Sequence, residues 1–177
     1  DARDNEFQAV MPVRGKILNV RKASLDKIQK NAEIMTMIEA FGLTVDTKTM
    51  KLTYNPEDLR YGKIIIESDA DVDGSHIKNL FYTFIWTFCP KLIEEGYVYA
   101  GVPPLYKITR GKDEYIYLKN DAELEKFREA NKGKKYTVNR LKGLGEMSVE
   151  ETEILTDPAQ RIIKQITVED VKKADKL

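Results

Sequence analysis

A short β-branched run that leads directly into an acidic turn is the feature that most constrains this chain. Residues 63–66, Lys-Ile-Ile-Ile, are typical of a strand covered on both faces. The turn at residues 69–74, Asp-Ala-Asp-Val-Asp-Gly, follows, and a helix is predicted from about residue 75 to residue 95, ended by Gly96. Because residues 97–100 have the pattern of another strand, this segment predicts a βαβ unit with parallel strands.

The rest of the chain predicts a mixed α/β fold around that unit. One helix capped by Ser24 is expected over residues 24–41, and residues 44–56 are polar and are expected to be irregular. The further expected elements are a hairpin (106–108 with 115–118), a helix (121–130), a strand (136–138), a helix (148–155), a strand (162–168) and a final helix. We therefore predict an α/β fold in which a parallel sheet is flanked by helices, with an added β-hairpin and C-terminal α/β segments.

Composition excludes several classes of protein. With 177 residues, of which 42% are hydrophobic, the chain can bury a core as one domain or one domain with a small appendage. The 29 Lys and Arg balance 29 Asp and Glu, so the basic excess typical of nucleic-acid binding is missing overall, although local patches can still bind DNA.

Cys89 lies in an apolar run and indicates a buried thiol in a reducing compartment. The longest apolar stretch, residues 80–89, is about half the length of a membrane-spanning helix, and no signal peptide is recognisable. We expect a soluble, cytoplasmic protein without a membrane partner.

The acidic turn has the composition of a cation site. Asp69, Asp71 and Asp73 are spaced by two, which would place their side chains on one face of an extended strand end. Open α/β sheets bind their ligands beyond the carboxyl ends of the strands. Clustered carboxylates repel one another unless a proton or a hard cation neutralises them. Oxygen ligands suit Mg²⁺, and a Mg²⁺ ion beside a phosphodiester stabilises the attacking or leaving oxygen.

Two other interpretations of the acidic turn compete with a cation site of this kind. An EF-hand begins with the same pattern but needs a glutamate at its twelfth position, which is Leu80 here, and it follows a helix rather than a strand. An ordinary turn in which Asp73 or Ser75 caps the next helix would explain one aspartate. It does not explain three behind a buried strand, so a metal site is favoured.

Two basic, glycine-containing segments are candidate DNA contacts. Lys142 begins the segment Lys-Gly-Leu-Gly-Glu at residues 142–146, whose backbone could approach a phosphate, although spacing alone favours a tight turn. Residues 14–19 place two cations around a glycine, and phosphate contacts and plain surface charges explain them equally well. His76, the single histidine, is more simply a structural hydrogen-bonding residue than a ligand.

Four segments, taken together and in this order, resemble the Toprim region of the B-type subunits of bacterial type IIA DNA topoisomerases. These are residues 8–20, 68–77, 103–107 and 142–147. The family comprises the B subunit of DNA gyrase and the ParE-type subunit of topoisomerase IV, and the segments look slightly more like gyrase. The resemblance implies a Toprim fold with a Rossmann-like parallel sheet. Residues 1–110 are expected to be its metal-binding core, and residues 111–177 the C-terminal part of the Toprim and tail region, which includes the loop at residues 142–147.

The same resemblance implies an ATP-dependent type II DNA topoisomerase, an isomerase that cuts both strands of double-stranded DNA, passes a second duplex and reseals the break. It assigns Mg²⁺ to Asp69, Asp71 and Asp73, with the first two the firmest. It places Lys16 and Asn19 against DNA with Arg14 beside them. Lys142 is expected to join them. The nucleophilic tyrosine belongs to the partner A-type subunit of an A2B2 heterotetramer, so none of the nine tyrosines here has that role.

The departures from the family pattern limit what the chain does alone. The Toprim glutamate of the family is expected upstream of Asp1, so no catalytic residue is assigned within the chain, and the ATP-hydrolysing domain is expected further upstream. Both ends look like cuts in a longer protein. We expect this fragment to be inactive by itself. Alternatives are a ParE-type subunit or a non-catalytic DNA-binding Toprim remnant. A different Toprim enzyme, such as a primase or nuclease, would leave residues 14–19 and 142–147 unexplained.

Overall fold

The structure, a computed structural model, describes residues 2–13 and 24–174. Its helices and strands are, in chain order, α1 (Leu25–Gln29), α2 (Ala32–Phe41), β1 (Thr44–Asp46), β2 (Lys51–Thr53), β3 (Ile64–Ile66), α3 (Val72–Phe88), α4 (Pro90–Glu94), β4 (Val98–Gly101), β5 (Tyr106–Arg110), β6 (Glu114–Leu118), α5 (Asp121–Ala130), β7 (Thr137–Arg140), α6 (Val149–Thr156), β8 (Ile163–Gln165) and α7 (Val168–Ala174), with short 3-10 turns at Pro56–Asp58 and Leu144–Glu146. Within the described ranges no helix is both long and apolar enough to cross a membrane.

The chain divides into two compact units. Unit 1 takes its residues from Asp1–Ala9, Glu67–Ser75 and Gly101–Ile163, and unit 2 from Val10–Ile66, His76–Ala100 and Lys164–Leu177. These units do not follow the sequence-based division between residues 110 and 111, which separates β5 from the rest of its own hairpin. That division stays a prediction about domain organisation.

A three-stranded sheet in the order β3-β4-β8 contains the predicted βαβ unit. Strands β3 and β4 pair in parallel, with Ile64 opposite Val98 and Ile66 opposite Ala100. The parallel pairing confirms the crossover that the sequence indicated, and the expected mixed α/β class is confirmed with it.

The core of unit 2 is built on the apolar face of α3. Four apolar residues of this helix are at most 8% exposed, namely Phe81, Phe84, Ile85 and Phe88. They belong to the same cluster as Ile28 of α1, Leu92 of α4 and Val98 of β4, each of which is at most 1% exposed. Burial of these side chains is the main force that holds the unit together.

The helix expected over residues 24–41 is wrong as a single element. It is two helices, α1 and α2, and the second begins where the Asn31 side chain accepts the backbone N–H of Ile34. Ser24 precedes α1 but makes no side-chain capping bond. Asn31 is a favoured helix-capping residue, so a strong start signal inside the apolar pattern divides it.

Two further expectations in unit 2 are corrected. The helix predicted to continue to residue 95 ends at Phe88, because Pro90 has no N–H to donate and disfavours helical backbone at the residue before it. The backbone of Cys89 is not helical, and α4 begins at Pro90 itself. The segment expected to be irregular forms an antiparallel hairpin, with Thr44 of β1 opposite Thr53 of β2.

Unit 1 contains the other three-stranded sheet, which is antiparallel and has the order β6-β5-β7. Ile108 lies opposite Ile116 on one side and Val138 on the other. One face of the sheet packs its apolar side chains with Leu124 of α5 to form a separate small core. The predicted hairpin and the helix over residues 121–130 are therefore confirmed.

Candidate metal centre

Asp69 lies between β3 and α3, half-buried, and its carboxylate is held by a segment distant in sequence. Its Oδ1 accepts the backbone N–H of Leu144 at 2.7 Å. A Cβ added to Gly143 would lie 3.1 Å from Oδ2 and 3.2 Å from Oδ1 of the same carboxylate. We call residues 142–147 the glycine loop. The acidic turn and the glycine loop therefore meet at Asp69.

The backbone of Asp69 packs against the first turn of α3. A Cβ at Gly74 would lie 2.8 Å from the carbonyl carbon and 3.0 Å from the nitrogen of Asp69, and nearer still to its carbonyl oxygen. The buried Ser68 hydroxyl donates to the Gly74 carbonyl oxygen at 2.9 Å. The glycine of the Asp-Gly pair is thus needed for close approach, which fixes the position of Asp69.

Asp71 caps α3. Its Oδ1 accepts the N–H of Gly74 at 2.8 Å, and its carbonyl oxygen accepts the N–H of Ser75 at 3.1 Å. The alternative in which Asp73 or Ser75 is the cap is therefore wrong. Asp73 lies exposed in the first turn of the helix, where the helix dipole favours negative charge.

Since α3 begins at Val72, the prediction that three aspartate side chains share one face of an extended strand end is wrong. Within the described part of the chain, no three or more His, Cys, Asp or Glu side chains are grouped so as to hold a metal ion. A complete protein cage for a cation is not formed there.

The donor set nevertheless fits Mg²⁺, which keeps several waters and is commonly bound through one or two carboxylates together with substrate phosphates. Asp69 and Asp71 each use Oδ1 for a backbone hydrogen bond that fixes the carboxylate. Their Oδ2 atoms are left to coordinate a cation. Asp69 is half-buried and Asp71 is exposed, so water and a phosphate can complete the shell. The assignment of the metal to Asp69, Asp71 and Asp73 stays a prediction.

Of the four candidate DNA-contacting residues, the structure describes Lys142. The Lys142 side chain is 76% exposed, and its Nζ lies 3.9 Å from Oε2 of Glu146. An exposed pair of this kind is weak, so Lys142 can exchange it for a phosphate. Arg14, Lys16 and Asn19 lie outside the described residues. His76 is exposed on α3, where it is not part of a buried hydrogen-bonding network.

Lys107 and Glu151 form an ion pair that sequence reasoning missed. Lys107 Nζ donates to Glu151 Oε1 at 2.9 Å, and the two side chains are 22% and 12% exposed. The hydrogen bond lowers the pKa of Glu151 and raises that of Lys107. Glu151 also completes a capping box with Ser148 at the start of α6. The capping-box spacing is visible in the sequence, but the partner 44 residues earlier is not.

Comparison with known proteins agrees with the motifs. The Toprim domain family model matches residues 1–100. The DNA gyrase B subunit of Thermotoga maritima is 45% identical over 177 residues, covering 99% of this chain and 27% of that protein. The DNA gyrase B subunit of Staphylococcus aureus is 47% identical over 175 residues, covering 98% of this chain and 26% of that protein. The chain thus spans about a quarter of the length of these relatives.

A solved structure gives the same result at lower identity. The crystal structure of the Plasmodium falciparum topoisomerase II DNA-binding, cleavage and re-ligation domain superposes with a TM-score of 0.70 and 31% identity. The superposition covers 86% of this chain and 21% of the Plasmodium falciparum chain. The resemblance drawn from the sequence motifs is confirmed. The chain belongs to the Toprim domain family.

Proposed function

We propose that this chain is the Toprim part of a gyrase-type B subunit of a bacterial type IIA DNA topoisomerase. In the complete protein it would bind Mg²⁺ and double-stranded DNA for cleavage and religation, with an A-type subunit that carries the nucleophilic tyrosine. The similarity of nearly the whole chain to B subunits of DNA gyrase supports this. The observation that carries it is the bond between Leu144 and Asp69, which joins the acidic motif to the glycine loop.

The proposed assembly is a cytoplasmic A2B2 heterotetramer that hydrolyses ATP in a domain outside this chain. The support for this finer statement is the match to B subunits of DNA gyrase, of which this chain spans about a quarter.

In this proposal each site residue has a separate task. Asp69 and Asp71 hold the cation through the oxygens that their backbone bonds leave open, and Asp73 adds negative charge from the first turn of α3. The bound Mg²⁺ would supply charge stabilisation at the attacking or leaving phosphodiester oxygen. Lys142 contacts a phosphate beside that position.

Arg14, Lys16 and Asn19 are proposed as further DNA contacts that set register and affinity. Removing one phosphate contact should weaken binding to all sequences and lower the salt dependence of binding by about one counterion. Lys16→Ala is the variant to measure, by DNA binding at several salt concentrations.

A chimeric enzyme tests the proposal. Residues 1–177 replace the matching region in the B subunit of a DNA gyrase, and the chimera is assembled with the A-type subunit of the same enzyme. We expect Mg²⁺-dependent DNA cleavage and supercoiling by the chimera, and loss of cleavage when it carries Asp69→Ala or Asp71→Ala. Asp113→Ala, in the exposed turn between β5 and β6, is the matched control and should cleave normally. Unchanged cleavage by the Asp69 and Asp71 variants across a Mg²⁺ titration would contradict the metal assignment.

A further inference from the structure

We infer that Lys107 is a positioning residue for Asp69, because through Glu151 it anchors the glycine loop whose Leu144 amide holds the Asp69 carboxylate. The inference rests on the proposed role of Asp69 as a metal ligand and deepens it. Lys107 acts on Asp69 indirectly, through side-chain and backbone hydrogen bonds and the backbone of the loop between them.

Both ends of the glycine loop are attached to strand β5. At the N-terminal end, β7 pairs with β5, and the N–H of Leu141 donates to the carbonyl oxygen of Leu105, the residue just before β5, at 2.9 Å. At the C-terminal end the attachment is made by side chains, since Lys107 of β5 donates to Glu151 of α6 at 2.9 Å. One strand therefore fixes the loop from both directions.

Glu151 transmits this attachment to the end of the loop. Its Oε2 accepts the N–H of Ser148 at 3.0 Å, while Ser148 Oγ accepts the N–H of Glu151 at 3.2 Å. Its other oxygen, Oε1, is the acceptor for Lys107. One carboxylate thus joins the residue that follows the loop to the middle of the sheet.

Inside the loop the backbone makes a single tight turn. The N–H of Glu146 donates to the carbonyl oxygen of Gly143 at 3.0 Å, and the N–H of Met147 donates to that of Leu144 at 3.3 Å. A 3-10 turn this short has poor hydrogen-bond geometry and little cooperativity of its own. The position of the Leu144 amide therefore depends on the attachments at the two ends.

The site of Lys107 is built for one cation. Its Nζ lies 4.4 Å from the centroid of the Tyr115 ring, in addition to the bond with Glu151. These contacts hold the ammonium group where only about a fifth of the side chain meets solvent. Such a pair contributes more to position than an exposed surface pair does.

The experiment uses the 177-residue chain. Lys107→Met removes the charge and keeps most of the stem, and Lys107→Arg keeps a donor for Glu151. Lys119→Met is the matched control, because Lys119 pairs with Glu123 in the first turn of α5 rather than with a residue of the glycine loop or of α6. Two quantities are measured at a temperature where every variant is folded: hydrogen exchange of the Leu144 amide without metal, and the Kd for Mn²⁺ by calorimetry.

We expect Lys107→Met to speed exchange of the Leu144 amide at least tenfold and to weaken Mn²⁺ binding about three- to tenfold, at or below the range for groups that orient metal ligands. Lys107→Arg should restore both, and Lys119→Met should change neither. Exchange and Mn²⁺ affinity that stay at wild-type values in Lys107→Met overturn the inference.

The same data separate this inference from the proposed function. Asp69→Ala should abolish Mn²⁺ binding. The metal proposal fails if the wild-type chain binds no Mn²⁺, or if Asp69→Ala binds Mn²⁺ as well as the wild type. In either case the exchange rates of the Leu144 amide still test the anchoring of the loop.

Discussion

Replacing Gly74 with alanine gives the sharpest test of how α3 packs on Asp69. The new Cβ would lie 2.8 Å from the Asp69 carbonyl carbon, whereas non-bonded carbon atoms prefer about 3.5–4.0 Å. The helix start and the Asp69 backbone would have to separate by roughly 0.7 Å or more. Because the neighbour is backbone, a side-chain rotation cannot relieve the contact.

The magnitude follows from two opposed terms. Alanine is favoured over glycine inside a helix by about 1 kcal/mol. Forced overpacking costs about 1–3 kcal/mol, and a backbone clash belongs at the upper end of that range. The expected net loss is about 2 kcal/mol of unfolding free energy, or roughly 4–8 °C in Tm for a chain of this size.

Thermal and denaturant unfolding of Gly74→Ala measures this, with Gly62→Ala as the control. A Cβ at Gly62 meets nothing within 4 Å, so that variant should change stability by less than about 1 kcal/mol, in the stabilising direction. If Gly74→Ala melts with the wild type, the close approach of α3 to Asp69 is refuted. If Gly62→Ala loses as much, the effect is not specific to the contact.

Three further outcomes are expected. Asp71→Ala should cost about 1 kcal/mol in unfolding without metal, because the helix cap is lost, while Asp71→Asn should keep that stability; equal stabilities of the two would contradict the cap. The pair of Lys107 and Glu151 should stabilise the fold between the usual pKa of 4.5 for the acid and 10.5 for the base. In the folded chain the pKa of Glu151 is lowered and the pKa of Lys107 is raised. The stabilisation is therefore lost as the pH falls through the folded-state pKa of Glu151, or as it rises through the folded-state pKa of Lys107. Lys107→Met should flatten both limbs of a stability profile measured by urea unfolding. Cys89 is 1% exposed with its thiol pKa raised to about 11 by burial, so a thiol reagent should react at least a hundredfold faster in denaturant than in buffer, and comparable rates would show that the thiol is accessible.

Local patterns predicted the elements whose stabilisation is local. The hairpin of β5 and β6 and helix α5 both lie where the sequence predicted them. The division of the helix after Phe88 was missed, although Pro90 alone is a sufficient sequence signal for it. The hairpin of β1 and β2 was missed since its strands are three residues long and mostly polar.

The contacts that define the site could not be derived in this way. Leu144 meets Asp69 across 75 residues, and Glu151 meets Lys107 across 44. Neither pairing leaves a periodic signal, because each depends on how whole strands and helices are arranged. The sequence marked the glycine loop as unusual through its two glycines and its cation. Only the fold shows that its backbone amide is directed at a carboxylate.

The acidic motif shows why regular spacing is an insufficient guide to a metal site. A period of two keeps side chains on one face only while the backbone remains extended. Here the backbone becomes helical at Val72, where two positions correspond to about 200° of rotation. Asp69 is then oriented by an amide, Asp71 by a helix cap, and Asp73 by its place in the helix. Three aspartates alike in sequence thus have three different environments. That arrangement agrees better with a cation held mainly by Asp69 and Asp71, with the rest of its coordination shell open, than with a cage of three equal carboxylates.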